Sequence, residues 1–267
     1  MQTYTKEGLK KRFKEIKDMG WISEGRQGNQ GSAGNTLEDL LGVSENNLPI
    51  PNAAEWELKT HKLNSSALLT LLHSEPSPNA LRLVPNYLLP NFGWPHKEAG
   101  KKYSLNEKSF RQTLNSTKFT NRGFKIEIDD EEEKIKLVFD PQKITLEQQL
   151  YKKMLEKSFD KSIEKISIPK EKQPYWGFTD LFHKMGIKLT NSFFVEYKER
   201  KTANGKEFSY EKVTMLQNFK IENFLHLLNN DLAYVDFDAR TGHNHGTKFR
   251  IKSNHMIDLY DKVTPVI

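Results

Sequence analysis

Apolar residues recur along this chain with two different periods, and each period predicts a different kind of element. Near the start, Leu9, Phe13 and Ile16 fall at helical spacing and Gly20 follows them, which predicts an amphipathic helix over 6–18. The same spacing predicts further helices at 35–41, 65–73, 146–159, 178–185 and 221–229.

Alternation of apolar and polar residues with a period of two predicts strands in other segments. The predicted strands are 55–61, 124–128, 134–139, 191–200, 207–216, 232–239 and 247–252. Three turns separate neighbouring strands: the acidic run 129–133, the dipeptide Asn204-Gly205, and a loop over 242–246. Helices and strands are interspersed along the chain, so we expect a mixed α/β (α+β) fold.

Composition narrows the class of protein. Of the 267 residues, 36% are hydrophobic and 28% are charged. No apolar run approaches the roughly 18 residues that a membrane-spanning helix needs, so we expect a soluble globular protein. The chain contains no cysteine, which excludes disulfides and thiolate metal sites and favours a reducing compartment. The basic first 21 residues lack the apolar stretch of a signal peptide, so a cytoplasmic protein is predicted.

The charge distribution permits a polyanionic partner. Lysine and arginine number 41 against 35 aspartates and glutamates, for a net charge of +6. The basic residues concentrate in 1–20 and 240–252, where they could attract a backbone of phosphates. The segment 161–174 is charged and contains two prolines, which makes it the best candidate for a boundary between two lobes.

The pentapeptide Glu55-Trp56-Glu57-Leu58-Lys59 is the first candidate for chemistry. On a strand, its three charged side chains would share one face and its two apolar side chains the other. Two carboxylates beside an ammonium suit a divalent metal ion and an oriented water, which phosphodiester hydrolysis requires. The same pattern also occurs as simple charge pairing on a solvated strand face, which is the alternative.

Two segments around this pentapeptide have a distinctive spacing. Residues 34–43 read Gly-Asn-Thr-Leu-Glu-Asp-Leu-Leu-Gly-Val, and residues 51–60 place Glu-Leu-Lys after Pro-Asn-Ala-Ala-Glu-Trp. Together they resemble the PD-(D/E)xK nucleases of the MutH and MvaI/BcnI type, most strongly over 25–73. The resemblance implies a restriction-endonuclease-like core and a second DNA-recognition lobe, with DNA in the cleft between them.

The resemblance also implies a role for each matched residue. Glu57 would be a ligand of Mg²⁺, with the backbone carbonyl of Leu58 completing the coordination. Lys59 would orient the attacking water, and Glu38 would support the site from its helix. Where the family pattern has an aspartate, this chain has Asn52, whose amide keeps an oxygen ligand but lacks the negative charge.

Asn52 leaves three interpretations open. The chain could be an active natural variant in which Glu55 or Glu38 supplies the missing carboxylate. It could carry an aspartate-to-asparagine change introduced to trap a complex, or it could be an inactive relative. We favour the active variant, because the predicted strand places Glu55 on the same face as Glu57.

The C-terminal strands carry candidates for DNA contact. Asp238 and Arg240 are two positions apart on a predicted strand, so together they could accept from cytosine N4 and donate to guanine O6 and N7. The alternative is a surface ion pair on an edge strand. Residues 236–240 and 245–250 also resemble the DNA-recognition region of the MvaI/BcnI enzymes. The candidate DNA-binding residues are Asp238, Arg240, His243, Asn244, His245, Lys248 and Arg250.

Together with the resemblance, these patterns predict a Mg²⁺-dependent type II restriction endonuclease that cuts double-stranded DNA. The resemblance implies products with 5′-phosphate and 3′-hydroxyl ends. We expect residues 1–165 to form the catalytic lobe and residues 166–267 the DNA-recognition lobe. The resemblance implies a monomer acting at a short, pseudo-palindromic, C·G-containing site, with a companion DNA methyltransferase in a restriction-modification system. Two alternatives are a MutH-like mismatch-repair nickase and a sequence-specific DNA-binding protein with an inactive nuclease fold.

Overall fold

The computed structural model describes residues 5–25, 31–43, 53 and 55–267. The helices are α1 (Lys6–Asp18), α2 (Ser32–Leu41), α3 (Leu89–Phe92), α4 (Gln149–Phe159), α5 (Phe178–Leu189) and α6 (Ile221–Asn229). The strands are β1 (Ile22–Ser23), β2 (Glu57–Lys62), β3 (Leu68–His73), β4 (Trp94–Pro95), β5 (Lys108–Leu114), β6 (Arg122–Asp129), β7 (Lys134–Ile144), β8 (Tyr175–Gly177), β9 (Asn191–Thr202), β10 (Gly205–Phe219), β11 (Ala233–Arg240), β12 (His243–Lys252) and β13 (Tyr260–Pro265). Among these helices, none is long and apolar enough to cross a membrane.

The chain divides into two compact units, and each unit is assembled from separate stretches of the chain. The first unit contains Met1–Leu69, His183–Asn223 and Lys252–Ile267, and the second contains Thr70–Phe182 and Phe224–Ile251. Residue 165, where the catalytic lobe is expected to end, lies inside the second unit. The boundary between the compact units therefore does not coincide with the expected boundary between lobes. The assignment of cutting to 1–165 and of reading to 166–267 stays a prediction.

The first unit is built on a five-stranded sheet. Its strand order is β1-β10-β9-β2, and β13 pairs with β10 outside that path. β2 runs parallel to β9, which sets Glu57 beside Ser192, whereas β10 is antiparallel to β1, β9 and β13. The apolar faces of α1 and α2 supply buried residues to the core of this unit: Leu9, Phe13, Ile16, Leu37 and Leu41.

Two glycines set the position of α2. A Cβ atom on Gly34 would lie only 3.3 Å from the Thr60 hydroxyl oxygen, so glycine allows α2 to approach β2 closely. Gly42 adopts φ 62° in the left-handed region and ends the helix. Glu38 lies between these glycines, one turn beyond the close approach to β2.

The second unit contains a five-stranded sheet in the order β3-β12-β11-β5-β4 and a three-stranded sheet in the order β6-β7-β8. Along β11, buried residues alternate with partly exposed ones, so one face of the strand belongs to the core. Phe110 of β5 packs on that face, with its ring centroid 5.4 Å from those of Phe237 and Phe124. The opposite face carries the charged residues of β11.

Most of the predicted elements are confirmed. Helices occur at α1, α2, α4, α5 and α6, and the acidic run joins β6 to β7 as a hairpin. The Asn204-Gly205 turn joins β9 to β10, with Gly205 at φ 121°. Asp238 and Arg240 share a partly exposed face of β11, as the alternation predicts.

Three predictions are wrong. Residues 65–73 do not form a helix, because Leu68–His73 is strand β3 beside β12; a short apolar run has no period of its own and the sheet decides its conformation. The expected 242–246 loop is mostly strand, since β12 begins at His243. Glu55 lies in a turn before β2 rather than on the strand, because Ala53 and Trp56 pair their backbones across it.

Candidate functional site

The carboxylate of Glu57 is buried at the first position of β2. Glu57 is 2% exposed. An ionised carboxylate tolerates such burial only with charged or hydrogen-bonding partners. The parallel pairing of β2 with β9 lays Ser192 alongside it. The Ser192 hydroxyl lies 2.6 Å from the hydroxyl of Tyr260, the first residue of β13, so β13 also borders the buried surroundings of Glu57.

Two ammonium groups converge on one oxygen of this carboxylate. Lys59 Nζ lies 2.8 Å from Glu57 Oε1, and Lys188 Nζ, from the last turn of α5, lies 3.3 Å from the same atom. We refer to Glu57, Lys59 and Lys188 as the Glu57 cluster. The second oxygen, Oε2, is buried and accepts no hydrogen bond from the described part of the chain. Among the described residues, the cluster therefore leaves this buried oxygen available to a ligand.

Burial and charge act together on the groups around Glu57. Burial lowers the pKa of Lys188, and the charge of Lys59 acts in the same direction, whereas the charges of Glu57 and Glu38 oppose it. Burial raises the pKa of Tyr260; its contact with Ser192 opposes this, and the charge of Glu57 reinforces it. The charge of Glu38 thus acts on the Glu57 cluster through Lys188.

The other residues predicted for this site, Leu58, Glu55 and Asn52, do not all lie beside Glu57 in the described structure. Leu58 has a buried side chain and pairs with Phe193 of β9. Glu55 is exposed in its turn, so the strand-face argument for it as a metal ligand no longer holds. Asn52 lies outside the described residues. The first residues of β2 thus place Glu57 and Lys59 together, and their roles as metal ligand and water-orienting group stay predictions.

The donor atoms fit a hard divalent cation only in part. Mg²⁺ prefers oxygen ligands, and Glu57 Oε2 is a buried oxygen without a hydrogen bond from the described residues. Within those residues, no group of three or more His, Cys, Asp or Glu side chains is placed to bind a metal ion.

A second concentration of charge lies on the partly exposed side of β5, β11 and β12. We call it the charged face and define it by six residues: Arg111, Asp236, Asp238, Arg240, Lys248 and Arg250. Strand alternation places these residues together, because the residues between them along β11 and β12 are buried.

Each carboxylate of the charged face pairs with basic side chains. Arg111 Nε lies 2.6 Å from Asp238 Oδ1, and Lys248 Nζ lies 3.1 Å from Asp238 Oδ2. Arg250 Nη1 lies 3.0 Å from Asp236 Oδ2. Asp238 therefore pairs across strands, and not with Arg240 as a surface ion pair would require.

Arg240 has partners at the end of β11. Its Nη1 donates to Glu107 Oε1 at 3.0 Å, and its guanidinium carbon lies 4.6 Å from the centroid of the Tyr103 ring. Glu107 is buried, so Arg240 is its counter-charge as well as a candidate base reader. β11 lies between β12 and β5, so it is not the edge strand that the alternative supposed.

Three residues of the expected 242–246 loop, His243, Asn244 and His245, lie at the start of β12 and are exposed. The ring centroids of His243 and His245 are 4.1 Å apart, edge to face. Asn244 Oδ1 accepts a hydrogen bond from the Gly246 amide at 3.0 Å. Loss of some hydration against the protein surface lowers the pKa of His245; the charge of Asp238 opposes this, and His243 and nearby cations reinforce it. His245 is therefore mainly neutral at pH 7.

Sequence reasoning missed Lys188, Arg111 and Glu107. Lys188 lies in the last turn of α5, beyond residue 185 where the helix was predicted to stop, and no local pattern connects it with Glu57. Arg111 and Thr113 are the exposed residues of β5 and lie two positions apart, a spacing that could have marked Arg111 as a surface residue of a strand. Only the pairing of β5 with β11 reveals that Arg111 lies opposite Asp238.

Comparison with solved structures assigns this architecture to a class. A complex of the restriction endonuclease MvaI with its cognate DNA substrate aligns with a TM-score of 0.76 at 24% identity, covering 99% of this chain and 100% of that one. MvaI in the absence of DNA aligns with a TM-score of 0.51 at 22% identity over 100% of both chains. The chain therefore has the fold of a restriction endonuclease.

The family follows from the sequence. The model of the MvaI/BcnI restriction endonuclease family matches residues 10–260. The chain belongs to the MvaI/BcnI restriction endonuclease family, which confirms the resemblance carried by residues 34–60. No curated protein matches the chain significantly. Membership of this family places the chain among the nucleases.

Proposed function

We propose that this protein is a Mg²⁺-dependent type II restriction endonuclease that hydrolyses phosphodiester bonds of double-stranded DNA at a specific site. The observation that carries the proposal is the Glu57 cluster, in which two ammonium groups, from β2 and from α5, contact a buried carboxylate at the start of β2 in a restriction-endonuclease fold. The chain's membership of the MvaI/BcnI family supports the same conclusion.

The proposal gives each residue of the Glu57 cluster a task. Glu57 Oε2, the Leu58 carbonyl and the Asn52 amide would hold the metal ion, and Glu38 would support them from α2. When bound, the ion would neutralise charge on the phosphate and activate water. Lys59 orients the attacking water, and Lys188 restrains Glu57 Oε1 so that Oε2 stays directed at its ligand.

The charged face is the proposed surface for reading DNA. Its guanidinium and ammonium groups can donate to guanine and to phosphate, while its carboxylates hold them in place. The solved MvaI complex with a cognate DNA substrate supports double-stranded DNA as the partner. We further propose a monomer that works in the cytoplasm beside a companion DNA methyltransferase and leaves 5′-phosphate and 3′-hydroxyl ends.

One assay tests this function. Purified protein incubated with plasmid and Mg²⁺ should give fragments with defined ends, and DNA ligase should rejoin them directly if those ends carry 5′-phosphate and 3′-hydroxyl groups. Nicks that require added mismatch-repair proteins would instead support a MutH-like nickase. Lys59→Ala should bind DNA without cutting it.

A second candidate is a sequence-specific DNA-binding protein with an inactive nuclease fold. Asn52 favours it, because an amide in place of the expected aspartate removes a negative charge from the cation site. The two ammonium groups on Glu57 favour it as well, since they oppose the approach of a cation. Specific binding without cleavage at any Mg²⁺ concentration would support this candidate.

A further inference from the structure

The four basic side chains of the charged face differ in exposure. The side chains of Lys248, Arg240 and Arg250 are 19%, 24% and 27% exposed, whereas that of Arg111 is 41% exposed. A group that reads base edges must reach outward from its strand while remaining fixed in direction. Arg111 is the basic residue of this face that is most accessible to a ligand.

Asp238 fixes the direction of Arg111. The two residues lie opposite each other in the register of β5 and β11, with Arg111 Nε 2.6 Å from Asp238 Oδ1. Lys248 Nζ holds the other oxygen at 3.1 Å. Burial alone would raise the pKa of Asp238, but the hydrogen bond from Lys248 and the charges of Lys248 and Arg111 together lower it. Asp238 therefore stays ionised at neutral pH, with both oxygens engaged.

The backbone opposite Asp238 is irregular. In the pairing of β11 with β12, Phe237 lies opposite Thr247 but Ala239 lies opposite Asn244, so β12 has one extra residue at the level of Asp238. Gly246 supplies the required left-handed conformation, at φ 85°. Such bulges redirect side chains and are frequent beside functional sites. Here the bulge lies at the level of the Arg111–Asp238 pair.

We infer that Arg111 is a specificity-determining residue that donates from its two terminal amino groups to one guanine, and that Asp238 is its positioning residue. This inference rests on the proposed function and adds to it. With Nε against Asp238, the guanidinium presents the fork that matches guanine O6 and N7. Arg111 has no second ion pair within the described part of the chain. The inference reassigns Asp238 from direct cytosine contact to support of an arginine.

The chain offers a matched control at Arg200. Its Nε lies 2.6 Å from Glu207 Oε2 and its side chain is 50% exposed, which closely matches the Arg111–Asp238 pair. Arg200 belongs to β9, in a different sheet, and its guanidinium stacks on the Trp21 ring at 4.3 Å. Arg200→Ala thus removes an equivalent ion pair away from the charged face.

Selection of binding sites from a randomised duplex library, with Ca²⁺ in place of Mg²⁺, would first define the motif of the wild-type protein. Binding of Arg111→Ala is then measured on duplexes that change that motif one base pair at a time. Discrimination at a single G·C pair should fall roughly tenfold to a hundredfold and stay unchanged elsewhere. Arg111→Lys should not restore it, because lysine lacks the fork, and Asp238→Asn should weaken it at the same pair.

Several results would overturn the inference. Equal loss of affinity for every duplex would make Arg111 a phosphate contact, and no loss, or the same loss with Arg200→Ala, would make the pair a solvated ion pair. Thermal unfolding of each variant shows whether a loss of binding reflects a loss of fold. A wild-type protein that enriches no motif would instead contradict the proposed function, which separates the two failures.

Discussion

The Glu57 cluster and the charged face both set carboxylates among basic side chains, yet they differ in burial. Glu57 is 2% exposed, whereas the side chain of Asp238 is 26% exposed. In the cluster, two ammonium groups contact one oxygen of Glu57, and the other oxygen accepts no hydrogen bond from the described residues. On the charged face, each oxygen of Asp238 has its own basic partner.

This difference separates chemistry from recognition. Charges in a buried site are poorly screened by water, so they act strongly on a bound phosphate. Removing one of them leaves its partner as an uncompensated buried charge, which costs a large free energy. Pairs that are partly open to water are individually weak. Their groups can exchange a protein partner for a base or a phosphate at small cost. Substitutions in the buried cluster should therefore have larger effects than substitutions on the charged face.

Lys59→Ala should reduce the rate of DNA cleavage by roughly a hundredfold to ten-thousandfold, the range for loss of a group that handles a proton in the transition state. Specific DNA binding should stay within about tenfold, since Lys59 handles water rather than bases. Single-turnover cleavage and binding assays measure the two effects. The control is Lys198→Ala on β9, in Glu196-Tyr197-Lys198, which repeats the Glu-x-Lys pattern of residues 57–59. There Lys198 pairs with Glu211 at 3.3 Å. Full activity of Lys59→Ala would end its catalytic assignment.

Glu57→Ala should lower the free energy of unfolding by about 3–5 kcal/mol, because it leaves two largely buried ammonium groups without their carboxylate. Urea denaturation measures the change. Glu196→Ala is the control, since Glu196 makes only a loose pair with Lys212 at 3.9 Å. That control should change stability by less than about 1 kcal/mol. Equal effects would contradict the contrast between buried and exposed pairs.

Arg240→Ala should cost roughly 1–3 kcal/mol of discrimination at one base pair, the usual value for a lost bidentate guanine contact. It also leaves the buried Glu107 without its hydrogen bond from Arg240. Binding to duplexes altered at single base pairs measures the discrimination, and Glu107→Gln shows how much depends on that support. Uniform loss across all duplexes would make Arg240 a contact to the DNA backbone.

Asn52→Asp should lower the Mg²⁺ concentration needed for half-maximal cleavage, on the order of tenfold, because a charged ligand tightens a hard-cation site. A titration of Mg²⁺ at saturating DNA measures the midpoint. If Asn52→Asp has no effect and Glu55→Ala abolishes cleavage, Glu55 supplies the ligand despite its place in a turn. If neither substitution matters, the metal ion binds elsewhere.

Lys248→Ala should have the smallest effect, a modest loss of affinity that is the same for all duplexes. The expected reason is that Lys248 touches phosphate, so the slope of log affinity against log salt should fall by about one. Binding measured at several salt concentrations gives that slope. A loss confined to one base pair would instead show that Lys248 acts through Asp238, which it holds at 3.1 Å.

Local sequence was sufficient wherever a contact follows from spacing along one element. The two-residue period of a strand aligns Glu57 with Lys59 and Asp238 with Arg240, and the glycines at 34 and 42 lie near the start and just past the end of the helix that carries Glu38. The Asn204-Gly205 turn was predictable because its dipeptide tolerates the backbone angles that a tight hairpin needs. These features depend on neighbours within a few residues.

Tertiary structure decided everything that joins distant segments. Lys188 reaches Glu57 across 131 positions of sequence, from 188 to 57, because α5 leads into the strand that pairs with β2. Arg111 meets Asp238 only through the register of β5 and β11. The start of β2 at Glu57 moved Glu55 into a turn, and pairing with β12 made 68–73 a strand. Backbone pairing between remote strands sets these outcomes, and a one-residue change of register would move a side chain to the opposite face.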